Sequence, residues 1–349
     1  MSKLTCENFN INYFGYEDAA VNGFSAEFSG GFNVIFGESA SGKTSLLKGL
    51  AGLIPSTGDV YLDGASLQDV PLKERDFQLL FDDYSLFSRH SVRYNLEYPL
   101  KIRKVPKAER RRMAEQAAAL FDLDLMVDAP VYKINEWHKV ALVFCRAYIR
   151  RAKVLFIDNV LSHLDLGTRR DAFYRFLPMF AGRGTIIYAT DSAEEAAFLS
   201  DKIHYLNSGY LLQVGSLAEL RETPACAAAF RAFNTCSSLF PAEIKENGIS
   251  LFGTLVPFDL SRLIGENYLG KECLLGVRAE DFVLSDDGFS ATVQGAFFSG
   301  DHPIYRATAG EYSVFFFSDK ALPVGAGIQL SVRRAAYLFD ALNERSVVR

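Results

Sequence analysis

The chain of 349 residues has one tryptophan, Trp137, and five cysteines, Cys6, Cys145, Cys226, Cys236 and Cys273. The cysteines are scattered, odd in number and without CxxC spacing, which excludes a disulfide framework and a zinc site as organising devices. They read as free structural thiols. Nothing approaches the ~20 consecutive apolar residues that cross a bilayer, and the opening MSKLTCENFN has no apolar core of a secretion signal, so a cytoplasmic protein is expected. An excess of basic charge is also missing. A formal net charge of −5 suits phosphate-backbone recognition poorly, and no nucleic-acid partner is expected. The one basic run, Lys101 to Arg112, leads into helix formers and reads as a solvated helix face. His90, His138, His204 and His302 show no ligand spacing, and no repeat or low-complexity segment stands out.

What is present begins with FNVIFGESASGKTSLLKGL, Phe32 to Leu50, where a strand-like run gives way to a helix-like one. The pattern Gly-x4-Gly-Lys-Thr, at Gly37, Gly42, Lys43 and Thr44, reads as a phosphate-binding loop. Glycines let backbone N–H groups wrap an anionic oxygen, Lys43 adds positive charge, and the Thr44 hydroxyl suits Mg²⁺. Further on, AKVLFIDNVLSHLD is an apolar strand ending at Asp158, an arrangement that holds Mg²⁺ beside a loop threonine. The intervening stretch to about Arg151 is rich in helix formers and reads as a helical insertion. Tyr13, Phe14 and Tyr16 supply either a face for a purine base or simple core packing.

Strands alternating with helices around the loop predict a largely parallel sheet with its ligand at the strands' carboxyl ends. Lys202 to Gly215 reads as a hairpin. Beyond Cys236 short strand-like runs recur between turns at Asn247-Gly248, Asp287-Gly288, Ala309-Gly310 and Val324-Gly325, which predicts a second, all-β domain, a small barrel or sandwich.

At this point the chain resembles the ATP-binding subunits of ABC importers, of the sugar-importer type with a C-terminal TOBE (OB-like) barrel. Besides the phosphate loop, the likeness rests on KVPKAERRRMAEQAAALFDL, RAYIRRAKVLFID, LSHLD, NSGYLLQVGSLAELRETP and LGVRAEDFVL. It implies an α/β P-loop NTPase domain over residues 1–235, with a helical subdomain about 82–151, and a β-barrel domain over 236–349. It also implies ATP and Mg²⁺ as cofactors. Gly37, Glu38, Ser39, Ala40, Ser41, Gly42, Lys43, Thr44 and Ser45 would hold the phosphates, Phe14 the base, and Thr44, Asp158 and Asp82 the metal. The partners implied are membrane-spanning permeases, a second ATP-binding subunit closing head to tail and, indirectly, an extracytoplasmic solute-binding protein. The location implied is the inner face of the cell membrane.

Four positions depart from the family's pattern. The glutamate expected after the metal aspartate is Asn159, the glutamine after Phe81 is Asp82, the LSGGQ signature is INEWH (Ile134 to His138), and the histidine after a later strand is Asp191. Asn159 holds a water but cannot take its proton, and lost general-base catalysis costs ~10²- to 10⁴-fold. Asp191 is an acceptor-only anion where charge builds up during hydrolysis, and Glu136 with Trp137 obstructs what the signature offers a partner's nucleotide. The resemblance so altered implies a subunit that binds MgATP with little hydrolysis and pairs with a competent partner as a heterodimer, a homodimer being the other arrangement. An active ATPase with a rearranged site and a regulator that has left transport are the alternatives.

Overall fold

Apolar runs bounded by glycine turns set the strands of the first unit. In chain order they are β1 (Leu4–Ile11), β2 (Val21–Phe28) and β3 (Gly31–Phe36), then α1 (Lys43–Leu50), β4 (Thr57–Leu62), β5 (Ala65–Ser66) and β6 (Phe77–Leu80). The helical insertion supplies α2 (Val92–Ile102), α3 (Lys107–Leu120) and α4 (Glu136–Arg150). β7 (Val154–Asp158), α5 (Leu166–Phe176), β8 (Thr185–Thr190), α6 (Ala193–Leu199), β9 (Ile203–Asn207) and β10 (Tyr210–Gly215) follow. The computed structural model describes residues 2–15, 18–199, 202–234, 236–264, 268–299, 302–333 and 337–348, in two compact units, Met1–Leu211 and Leu212–Arg349.

The central sheet has the order β10-β9-β3-β8-β7-β6, and β3, β6, β7, β8 and β9 run parallel. β7 and β8 are buried along their whole length, as strands covered on both faces must be, and accordingly read as continuous apolar runs. The strands that precede β3 and follow α1, β1, β2, β4 and β5, do not extend this sheet. β1 and β2 join β4 and β5 in a separate antiparallel sheet, order β2-β1-β4-β5. Leu46, Leu47 and Leu50 of α1 are fully buried in a core with Ile35, Val154, Phe156 and Ile187. At ~1.5–3 kcal/mol for each such side chain, this packing fixes α1 against the sheet and so fixes the loop in front of it.

In the helical insertion the buried Asn95 bonds both N–H and C=O of Phe87, and Arg146 of α4 donates to the carbonyls of Tyr84 and Ser85. These bonds hold the irregular segment after β6, where Tyr84 and Ser85 both take positive φ.

The second unit opens with α7 (Leu217–Glu222) and α8 (Ala227–Phe233) and is otherwise all β. β11 (Ser237–Lys245), β12 (Gly248–Leu251), β13 (Thr254–Val256), β14 (Glu272–Arg278), β15 (Phe282–Ser299), β16 (His302–Ala309), β17 (Tyr312–Phe317), β18 (Gly327–Val332) and β19 (Tyr337–Asp340) form two antiparallel sheets, ordered β13-β12-β11-β14-β19 and β17-β16-β15-β18. Phe240 and Leu275 from one sheet share a core with Ala307, Phe316 and Leu330 from the other. Asp287-Gly288 is not a turn between strands. It is a bulge within β15, where Leu284 and Phe289 both align with Leu330. A Cβ at Gly288 would lie 2.2 Å from the Leu330 carbonyl, so only glycine permits the approach.

Candidate functional site

The site grows from the junction of β3 and α1. Gly42 is the N-cap residue of α1 at φ +101°, and a Cβ there would meet the Ala20 carbonyl at 2.3 Å. Ala40 also takes positive φ, +63°, and such alternation turns successive N–H groups toward one point. No side chain caps α1 and no acid lies in its first turn, so its leading N–H groups remain available to an anion. Glu38, Ser39 and Ala40 form the exposed rim of the loop, Gly37 and Ser41 are buried, and Thr44 opens to solvent.

Lys43 is 8% exposed, and its Nζ donates to the carbonyls of Gly37 and Glu38 at 2.7 Å each and to Ser41 Oγ at 3.3 Å. Burial pulls its ammonium below the ordinary value, against the opposing charges of Asp191, Asp158 and Glu38. An ammonium folded onto carbonyls of its own loop is positioned to exchange them for phosphate oxygens. Tyr13 lies beside the same helix start, its hydroxyl 3.1 Å from Ser45 Oγ, and Phe14 is fully exposed. Tyr16 lies outside the described residues.

The sheet register brings the carboxylates together. Leu80 aligns with Ile157, Asp158 with Ala189, and Thr190 with Phe36, so Asp82, Asp158, Asp191 and Gly37 all emerge at the carboxyl ends of adjacent strands. Asp158 is buried. Its carboxyl is raised chiefly by that burial, lowered by a hydrogen bond with Thr44, and raised again by the charge of Asp82. Among the described residues no three His, Cys, Asp or Glu side chains are grouped to hold a metal alone. The bonded pair Thr44 and Asp158 instead offers two hard oxygens, which suits a Mg²⁺ that arrives with phosphate oxygens to complete its shell.

Asn159 takes φ +45°, a region that asparagine tolerates better than most residues, and its N–H donates to the Ala189 carbonyl at 3.2 Å. Its Oδ1 is enclosed without a hydrogen-bond partner among the described residues. Asp191 is not an isolated anion. Arg169 of α5 reaches its Oδ1 at 3.3 Å and donates through Nε to Glu195 Oε1 at 2.8 Å. Burial alone would lower Arg169, but the bond and charge of Glu195, with Asp191, hold it above its ordinary value. The other Glu195 oxygen accepts from Tyr188 (2.8 Å) and Thr190 (2.6 Å).

At the signature position α4 begins with Asn135 as its cap, whose side chain accepts from the His138 N–H at 3.0 Å. Glu136 in the first turn pairs with Lys139 at 3.0 Å, and the Trp137 ring lies 5.2 Å from Phe176. Sequence reasoning missed two participants, Arg169 and Glu195; His163, read there as part of the LSHLD loop, bonds the Asp82 carbonyl through a ring nitrogen. Glu195 follows Asp191 by four residues, but in sequence that spacing also describes any solvated helix, and nothing local marks Arg169. The Asn135 cap was readable from an asparagine preceding a helix-forming run.

A family model described as ABC transporter matches residues 23–162. The chain is 32% identical over 260 residues to the Fe(3+) ions import ATP-binding protein FbpC of Escherichia coli, covering 73% of this chain and 72% of the relative. It is 33% identical over 282 residues to the trehalose/maltose import ATP-binding protein MalK of Thermococcus litoralis, covering 76% and 75%. The sn-glycerol-3-phosphate import ATP-binding protein UgpC of Bordetella avium is 28% identical over 320 residues, covering 89% and 87%. A solved structure of an ATP-binding subunit of an ABC transporter superposes with TM-score 0.55 at 18% identity, over 62% of this chain and 91% of its own, and shares the fold.

Proposed function

The chain belongs to the ABC transporter family as an ATP-binding subunit of the importer type, and from that premise we propose that it binds MgATP with little or no hydrolysis, beside a competent ATPase partner. The observation that carries the reading is the contrast within one site. The phosphate loop is complete, with Lys43 buried and α1 uncapped, whereas the groups that would act on a bound triphosphate are replaced. Thr44 and Asp158 would hold Mg²⁺, which supplies charge neutralisation of the phosphates, and Phe14 would face the base. Asn159 orients a water at most, since its side chain takes no proton at neutral pH. Asp191 sits in an ion pair with Arg169 and donates nothing to a developing negative charge.

The start of α4 supports the pairing half of the proposal. A helix N-terminus attracts an anion through free N–H groups, but here Asn135 occupies one and Glu136 adds negative charge. Two copies of this chain would hold two impaired sites, which favours a heterodimer. The remaining assignments are part of the same proposal: a nucleotide-binding domain over 1–235, a TOBE-like regulatory domain over 236–349, and association with permease subunits at the inner face of the membrane. Among the described residues no helix is long and apolar enough to cross a membrane. The relatives carry names for iron, trehalose/maltose and glycerol-3-phosphate import, and the solute proposed for this chain is a carbohydrate or similar small molecule.

Steady-state phosphate release by the purified chain, alone and with its partner subunits, tests the reading. Turnover below about 1% of a typical ~10 s⁻¹ enzyme is expected for the chain alone. Rapid turnover abolished by Lys43→Ala would defeat the proposal.

A further inference from the structure

We propose that Asp82 and Asp191 make this site selective for nucleotide charge: a nucleoside diphosphate is accepted with or without a divalent cation, whereas a triphosphate is held weakly unless one accompanies it. The inference rests on the nucleotide-site reading above and deepens it. Phosphate loops of this pattern cradle the α- and β-phosphates on backbone N–H groups and bring the lysine to the β- and γ-phosphates. A third phosphate therefore faces the carboxyl ends of the neighbouring strands. On β6, β7 and β8 those ends carry Asp82, Asp158 and Asp191, on strands about 4.8 Å apart. Carboxylates and phosphates are both acceptors, so no hydrogen bond joins them at neutral pH unless a cation or proton lies between.

The cations at hand are too few. Lys43 already faces Asp191, Asp158 and Glu38, and Lys48 adds one more positive charge beside Asp158, so that with Arg169 three cations stand against Glu38, Asp82, Asp158, Asp191 and Glu195. Arg169 is one guanidinium shared by two carboxylates, at 3.3 Å from Asp191 and 2.8 Å from Glu195, which leaves that group one negative charge in excess. A diphosphate stops short of this end of the site and avoids the repulsion. A triphosphate meets it unless a divalent ion on Thr44 and Asp158 supplies two positive charges. Asp82 and Asp191 are both exposed, so water and salt reduce the discrimination to about tenfold rather than the hundredfold of a sealed site.

Isothermal titration calorimetry of the full chain with ATP and ADP, in EDTA and in excess Mg²⁺, reads the effect directly. In EDTA, ADP is expected to bind about tenfold tighter than ATP, and Mg²⁺ is expected to close the gap to within about threefold. Asp82→Asn and Asp191→Asn remove one charge each at nearly constant shape and should each narrow the EDTA gap, raising ATP affinity by more than they change ADP affinity. Equal affinities in EDTA, or a gap that survives in the double variant, overturn the inference and leave the nucleotide-site reading standing. Binding of neither nucleotide, even with Mg²⁺, removes that reading and the inference with it.

Discussion

Glu195 lies 7% exposed behind Asp191, and replacing it by alanine tests how the strand end that carries Asp191 is held. Three donors converge on its carboxylate: Arg169 Nε at 2.8 Å, Tyr188 OH at 2.8 Å and Thr190 Oγ1 at 2.6 Å. Tyr188 and Thr190 have no exposed surface, so water cannot replace the lost acceptor. Each stranded hydroxyl costs ~1–3 kcal/mol, and removing one partner of a buried ion pair costs ~3–5 kcal/mol. These terms overlap, and Arg169 keeps Asp191, so Glu195→Ala is expected to cost about 4 kcal/mol in total. Glu195→Gln keeps two acceptor lone pairs but turns an NH₂ toward Arg169, and about 2 kcal/mol is expected. Trp137 is the sole tryptophan and lies in the same unit, so its fluorescence in urea reports this unfolding without interference from the second unit. The decisive comparison is the background Tyr188→Phe with Thr190→Val, which removes two of the three donors. In that background the cost of Glu195→Ala should fall by about 1–3 kcal/mol. An unchanged cost, or a Glu195→Ala variant within about 1 kcal/mol of the parent, would refute the convergent-acceptor account.

Two further outcomes follow from buried titrating groups. His204 of β9 is 1% exposed and its Nδ1 lies 3.2 Å from the Val34 carbonyl; burial outweighs that bond and, with the charge of Lys202, pulls its pKa from 6.5 to about 4. The unfolded chain thus binds a proton that the folded one refuses. Stability present above pH 6.5 is lost as pH falls toward 4, by about 3 kcal/mol, and urea midpoints at pH 7 and 5 should diverge less in His204→Phe. Burial also raises Cys6 and Cys273 to about 12 and raises Cys145, whereas Cys226 and Cys236 are only half-buried. An aromatic disulfide reagent at pH 8 should therefore label at most Cys226 and Cys236 in the folded chain and all five thiols in urea.

The parts of this site that could be read from sequence are those whose chemistry is local. Gly37, Gly42, Lys43 and Thr44 form one loop and act together, so their order announces the loop's purpose. β7 and Asp158 were legible for a similar reason, since a continuous apolar run ending in an acid is a short-range signal. Pairings that depend on topology were not. Arg169 and Glu195 stand 26 positions apart and meet only because α5 and α6 flank β8. The alternation of Leu4 to Ile11 and Gly23 to Phe36 reads as one edge sheet leading into the phosphate loop, yet alternation does not say which strands share it: β1 and β2 pair with β4 and β5, whereas β3 joins the parallel sheet. Asp287-Gly288 carries a turn's composition but sits in a bulge, because a single glycine satisfies both geometries.

On the proposed reading, the division between legible and illegible parts also bears on how a site keeps its ligand without its chemistry. Phosphate binding rests on backbone: Gly42 at φ +101°, an uncapped helix start, and a core of leucines beneath it. Hydrolysis rests on single side chains at the ends of β6, β7 and β8, none of which the core needs. Substitutions there are therefore tolerated by the fold, and they need not be reversible one at a time. Asn159 occupies left-handed backbone, where an ordinary L-residue pays roughly 1–2 kcal/mol and asparagine less. A glutamate returned to that position would strain the turn or reshape it. Asp191 would still be tied to Arg169, so on the proposed reading a general base alone does not restore hydrolysis.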